Sequence, residues 1–204
     1  DAVLYPANNA PTFLPGINVA IFHGFDAGKL DKKGNNDHYK DRRCFDLYCT
    51  QGPESTREFL ALQGSPKKFN VIETGWSALD SLFASDLPVI SNNAKPTMTF
   101  VETSDVIPLL KQADVMVCDT SSVMLMFLLQ HKPVVTFKNI NPKAHLFDIQ
   151  TPAELEQAIE YVLTRPKALM DYIQSFINEV HPYNDGLSAL RVLVAIDKTI
   201  EDKA

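Results

Sequence analysis

Apolar and polar positions fall into blocks along this chain, and the sharpest pattern runs through residues 113–137. Val115-Met116-Val117-Cys118 is a short β-rich apolar run. It passes into Val123-Met124-Leu125-Met126-Phe127-Leu128-Leu129, an apolar segment with helical residue types that ends at Gln130-His131-Lys132. Pro133 stops that segment, and Val134-Val135-Thr136-Phe137 reads as the next strand. Strand, turn, helix and strand within about 25 residues predict a βαβ unit, and so a parallel sheet with a right-handed crossover. Both flanks are apolar almost all round, as expected of a sheet covered on both faces and a helix packed against it.

The rest of the chain repeats this alternation. Residues 1–6 read as the end of a strand leading into a Pro/Asn-rich loop, residues 18–22 as a better strand, and residues 45–50 as a third. Residues 54–63 predict a helix closed by Gly64-Ser65-Pro66, and residues 71–74 another strand. From 85 to 95 the composition shifts to Ser, Asn, Pro and Asp, a linker pattern. Residues 96–100 look strand-like, and Ser104 or Asp105 is expected to cap a helix through Leu110. Thr151-Pro152-Ala153-Glu154 has the form of a capping box with proline at the first helical position. Leu155, Ile159, Val162 and Leu163 then predict an apolar stripe, and helices through Val180 and from Gly186 onward complete the pattern. The expected fold class is α/β.

Composition narrows the function classes. The chain has 204 residues, 45% hydrophobic and 22% charged, enough for one large domain or two small ones with a proper core. A formal charge of −6 lacks the basic footprint of a general nucleic-acid binder. The longest apolar run, 123–129, is too short to span a bilayer. Asp1 starts in mid-pattern without a charged leader or an initiator methionine, so the sequence reads as a fragment or trimmed chain without a signal peptide. Three cysteines do not suggest a disulfide framework. Cys44 and Cys49 lie five apart in an expected strand and would face opposite ways, which disfavours a shared metal or a mutual disulfide. Reduced thiols in a cytoplasmic setting are expected.

Chemistry concentrates where strands end. Asp119-Thr120-Ser121-Ser122 puts three hydroxyls and an acid at a strand-to-helix turn, where ligands of open α/β sheets lie and anions find free N–H groups. The plain alternative is a helix cap. His23-Gly24 follows the strand at 18–22, a position suited to catalysis, although a lone histidine is more often structural. The loop at 26–43, rich in Gly, Asn, Asp and Lys, is long enough to suggest a functional role. A second loop, 138–145, sits at another strand's carboxyl end.

Four motifs together, His23-Gly24, Gly75-Trp76-Ser77-Ala78-Leu79-Asp80, Ala113-Asp114 through Asp119-Thr120-Ser121-Ser122, and Asp185-Gly186-Leu187-Ser188-Ala189-Leu190-Arg191, resemble those of the CDP-glycerol glycerophosphotransferases of bacterial cell envelopes, the teichoic-acid-type polymerases and primases. The resemblance implies two Rossmann-like lobes in the GT-B arrangement: residues 1–84 as the acceptor side, 85–95 as linker and 96–204 as the donor-nucleotide lobe. It implies that His23 is the catalytic histidine, that Asp119, Ser121 and Ser122 match an Asp-Tyr-Ser-Ser motif against the donor phosphates, and that Asp185, Gly186, Ser188 and Arg191 belong near the donor site. Thr120 stands where that family has tyrosine, which keeps the hydroxyl and loses the ring. Trp76 and Ser77 replace a Tyr-Pro pair in the family's hinge segment.

The activity implied by this resemblance is transfer of a glycerol-phosphate or related polyol-phosphate unit from a CDP-activated donor to a hydroxyl acceptor. An imidazole, which titrates near neutrality, would act as general base. No cofactor or tightly held metal is implied; the partners are the activated donor and a polyol or glycan acceptor, with a peripheral contact at the inner face of the membrane through regions outside this chain. The competing readings are a nucleotide-sugar glycosyltransferase or epimerase on the same lobes, and a domain that binds nucleotide or polymer without turnover. Between Lys95 and Asp119 the pattern holds fewer elements than a nucleotide-binding lobe needs, so a second lobe that is incomplete is expected, with a seam between Phe100 and Val101; the alternative is a lobe that is truly shortened.

Overall fold

The computed structural model describes residues 2–11, 13, 15–26, 28, 30–84, 101–103 and 105–203. Among these, strands β1 (Ala2–Tyr5), β2 (Ile17–Ala20), β3 (Leu47–Thr50) and β4 (Asn70–Glu73) form a sheet in the order β1-β2-β3-β4, with every pairing parallel. A second parallel sheet joins β5 (Met116–Cys118), β6 (Val134–Phe137) and β7 (Phe147–Ile149) in that order. The protein is therefore α/β with two small parallel sheets. The expected linker at 85–95 and strand at 96–100 lie outside the described residues, as does the Phe100 side of the expected seam.

Seven helices among the described residues cover these sheets: α1 (Pro53–Gln63), α2 (Asp80–Phe83), α3 (Ile107–Gln112), α4 (Val123–Leu128), α5 (Leu155–Leu163), α6 (Lys167–Val180) and α7 (Ser188–Glu201). The βαβ unit read from the sequence is present as β5, α4 and β6, with Val117 opposite Val135 in register. In α4 and β6 the apolar composition is used as expected, with Leu125, Phe127, Leu128, Val134 and Val135 all buried in one core, whereas in β5 Val117 is exposed and Met116 and Cys118 are half-buried. In α1, Pro53 supplies a preset φ at the first helical position and Gly64, at φ 75°, ends the helix.

Three local expectations are corrected. Cys44 lies before β3, not within it, because the strand begins only at Leu47; all three cysteines are free thiols. The helix expected from Ser104 or Asp105 starts at Ile107, with the Asp105 carboxylate accepting the Ile107 N–H at 3.0 Å, since Pro108 fits the first turn. Leu163 is 48% exposed and falls outside the stripe of α5, which runs through Val162, buried as expected, the half-buried Leu155 and Ile159, and the buried Ala158. The 151–154 box is made as expected: the Glu154 carboxylate accepts the Thr151 N–H at 2.9 Å and its hydroxyl at 2.6 Å, opening with one 3₁₀ turn before α5.

The sequence boundary between the halves is crossed in both directions. Val192, Ala195 and Ile196 of α7 pack on Ile17, Val19, Leu47 and Cys49 of the first sheet. Conversely, Phe25, Leu79 and Leu82 join the core of the second sheet. The two passages meet: the Asp80 carboxylate accepts the N–H groups of Ser188 at 3.0 Å and Ala189 at 2.8 Å, capping α7.

Helices α1 and α6 meet at a glycine. A Cβ on Gly52 would lie 2.4 Å from the Val180 carbonyl oxygen and 2.7 Å from its carbon, both backbone atoms that cannot swing aside. Arg57 of α1 and Glu179 of α6 add an exposed ion pair at 2.8 Å. Gly52→Ala is expected to destabilise the protein by about 1–3 kcal/mol, as overpacking does. A urea midpoint equal to the wild type would mean that the two helices part at no cost.

Candidate functional site

Where both sheets end, the chain leaves an open cavity of ≈ 200 Å³. Most of its lining comes from segments that follow strands: Phe25 and Asp26 after β2, Gln51, Glu54 and Ser55 after β3, Thr120, Ser121 and Ser122 after β5, and Asn139, Asn141, Lys143 and His145 after β6, with Phe176 and Val180 of α6 beside them. Every one of those strands is parallel to its neighbours, so the loops gather at carboxyl ends, where α/β proteins place their ligands.

The 119–122 turn reaches this cavity. Ser121 Oγ accepts the Val123 N–H at 3.3 Å, and Thr120 Oγ1 accepts the Ile140 N–H at 3.4 Å, which ties the turn to the facing loop. Ser122 occupies the cap position in a helical conformation, φ −65° and ψ −21°, and its hydroxyl caps nothing. That exposed hydroxyl points to no partner among the described residues. Asp119 is exposed and outside the lining; its carbonyl accepts from Asn139 Nδ2 at 3.1 Å.

His23 is exposed and is not among the side chains lining the cavity. The backbone beside it is fixed tightly. Phe22 sits at φ 57°, a left-handed conformation that a bulky residue keeps only under constraint. The constraint is visible: the Phe22 carbonyl accepts from Trp76 Nε1 at 3.3 Å, the Gly24 carbonyl accepts from Gln51 Nε2 at 3.0 Å, and the Phe22 ring packs on Phe59.

Asp185, Gly186, Ser188 and Arg191 are placed elsewhere. None lines the cavity. Asp185 forms an ion pair with Arg191, whose guanidinium lies 4.4 Å from the centre of the Tyr183 ring. Ser188 is buried against Gly75 and bound to Asp80. These contacts hold α7 to the 75–80 segment, because the N–H groups that open α7 are already taken by a carboxylate. The structure thus places these four residues at the start of α7, outside the cavity that the 120–122 turn lines.

The structure adds residues that the sequence pattern did not single out. Asp26, Tyr39 and Glu54 stand on the first-sheet wall, and Lys143 and His145 on the second. Burial raises the Glu54 carboxyl above its usual value, against the opposing pull of Lys143. Burial, aided by Lys143, lowers His145 to about 4, so it is neutral at pH 7. Its ring lies 4.2 Å from that of Phe176, giving the cavity an aromatic surface. For Asp26, Tyr39, Lys143 and His145 the only signal was their place in two long polar loops at strand ends; Glu54 lies in the first turn of α1, directly after β3. Among the described residues no group of three or more His, Cys, Asp or Glu is placed to hold a metal ion, and no helix is long and apolar enough to cross a membrane.

Fold and cavity define the protein as an α/β chain of two parallel sheets with a polar cleft at their carboxyl ends. Comparison with protein-family models, with curated proteins and with solved structures finds no match to this chain.

Proposed function

We propose that this chain is a transferase of the CDP-glycerol glycerophosphotransferase type, built on two Rossmann-like lobes in a GT-B arrangement, with residues 1–84 serving the acceptor and 96–204 the donor. The observation that carries the reading is the meeting of the hydroxyls at 120–122 and the Lys143 ammonium on one wall of the cleft with carboxylates on the other. Hydroxyls and an ammonium suit a diphosphate. The acceptor oxygen attacks the glycerol-bearing phosphorus; the new P–O bond forms as the bond to CMP breaks, and CMP leaves. His23 takes the acceptor's proton. The protein works inside the cell at the membrane's inner face, in synthesis of a cell-surface polymer.

Calorimetry with CDP-glycerol, CDP-ribitol and UDP-sugars, together with product analysis, tests this. Phosphodiester formation with CMP release supports it. Glycosidic transfer with loss of a nucleoside diphosphate favours a glycosyltransferase, and binding without any product favours a binding domain. In the donor site, replacing Ser121 and Ser122 together with alanine is expected to weaken donor binding by about 1–3 kcal/mol, the loss of two charge-assisted hydrogen bonds. An unchanged Kd would remove the donor phosphate from this turn.

A further inference from the structure

The first-sheet wall of the cleft carries two carboxylates, and they are engaged differently. Both oxygens of Asp26 are committed to its own loop: Oδ1 accepts the Gly28 N–H at 2.8 Å and Oδ2 accepts Asn36 Nδ2 at 2.6 Å. Glu54, half-buried in the first turn of α1, accepts no hydrogen bond from any other described residue. An ionised carboxylate only accepts, with room for about four hydrogen bonds. The charged groups acting on it are Lys143 from the loop after β6, Asp26 from the 26–43 loop, Arg57 on its own helix and Glu179 on α6. Tyr39 shares the wall.

The cleft therefore has two unlike faces. An anionic group is drawn to Lys143 and the hydroxyls at 120–122 and repelled by Glu54 and Asp26. What Glu54 can take is a group that donates hydrogen bonds and carries no negative charge. We propose that Glu54 is the specificity-determining residue of this cleft, accepting hydrogen bonds from the hydroxyls of a polyol whose phosphate lies toward Lys143 and the 120–122 turn. The assignment rests on the transferase reading above and names the contact that distinguishes a polyol-bearing ligand from a bare nucleotide. A carboxylate in the first turn also complements the dipole of α1. That role would alter the helix's stability and leave ligand choice untouched.

The test compares the Kd of CDP-glycerol with that of CDP, by calorimetry, for the wild type, Glu54→Gln and Glu54→Ala. The expected result is a preference for CDP-glycerol over CDP that falls by about 10- to 100-fold in Glu54→Ala, the worth of hydrogen bonds to a charged group. Glu54→Gln, which keeps the shape and removes the charge, falls between, and CDP itself binds as well as before or more tightly. Urea midpoints of both variants separate loss of a contact from loss of the fold. A preference that is the same in all three proteins overturns the role of Glu54 while leaving the transferase reading in place. A wild type that binds neither cytidine ligand overturns the transferase reading, and the polyol assignment with it.

Discussion

Replacing His23 with alanine is expected to lower group transfer by about two to four orders of magnitude, the usual contribution of a positioned general base. Donor affinity should be nearly unchanged, because the hydroxyl turn and Lys143 belong to the other sheet. The local backbone should survive the change. It is held by the Phe22 and Gly24 carbonyls, which accept from Trp76 and Gln51, and none of these bonds involves the imidazole. His23 stands two residues ahead of Phe25, which lines the cavity. An acceptor whose hydroxyl meets the imidazole is thus expected to bind at the rim, not in the depth of the cleft. CMP release and donor Kd, measured on the same preparation, separate the two effects. A wild-type rate would return this histidine to a structural role.

Acidification is expected to destabilise the protein through His181, at a cost of about 3 kcal/mol. This ring is 1% exposed, lies between Phe25, Phe83 and Tyr183, and accepts the Trp76 N–H on Nε2 at 2.9 Å. Burial lowers it from 6.5 to about 4, against the pull of Asp80. The neutral ring is required because a protonated Nε2 can no longer accept. Between about pH 6.5 and 4 the unfolded chain binds a proton that the folded chain refuses, so stability is fully present above 6.5 and lost as the pH falls toward 4. His181→Gln keeps an acceptor for Trp76 without a titrating group. Urea denaturation from pH 7 to 4 should show the wild type losing about 3 kcal/mol more than the variant, with His38, His145 and the carboxylates common to both curves. Parallel curves would show that His181 does not carry the acid sensitivity.

The elements were largely legible because each rests on local rules. The strand at Val134–Phe137 and the end of α6 at Val180 fall where apolar runs and breakers placed them. Strand limits were less legible: the apolar pattern at 18–22 ran past Ala20 because Phe22 and His23 belong to a turn that long-range bonds impose. The amphipathic pattern of α7 announced a helix but not its partner, and it packs on the first sheet although it comes after the second. The candidate site divides the same way. The hydroxyls of the 119–122 turn could be read from strand-to-helix chemistry. Glu54 and Lys143 could not, since 89 positions of chain separate them and only the packing of two sheets brings them to one cleft. At Asp185 and Arg191 the sequence could not decide, because an acid, a glycine and a basic residue around a helix start look alike whether they await a ligand or, as here, pair with each other while Asp80 takes the N–H groups of Ser188 and Ala189.

The return of α7 to the first sheet sets an order of events during synthesis. Strands β2 and β3 leave the ribosome well before α7, yet Ile17, Val19 and Leu47 are covered by Val192, Ala195 and Ile196, made roughly 145 to 180 residues later. Until then an apolar sheet face stays open to solvent. The nascent chain is consequently a natural client for chaperones, and its first sheet closes only as α7 arrives.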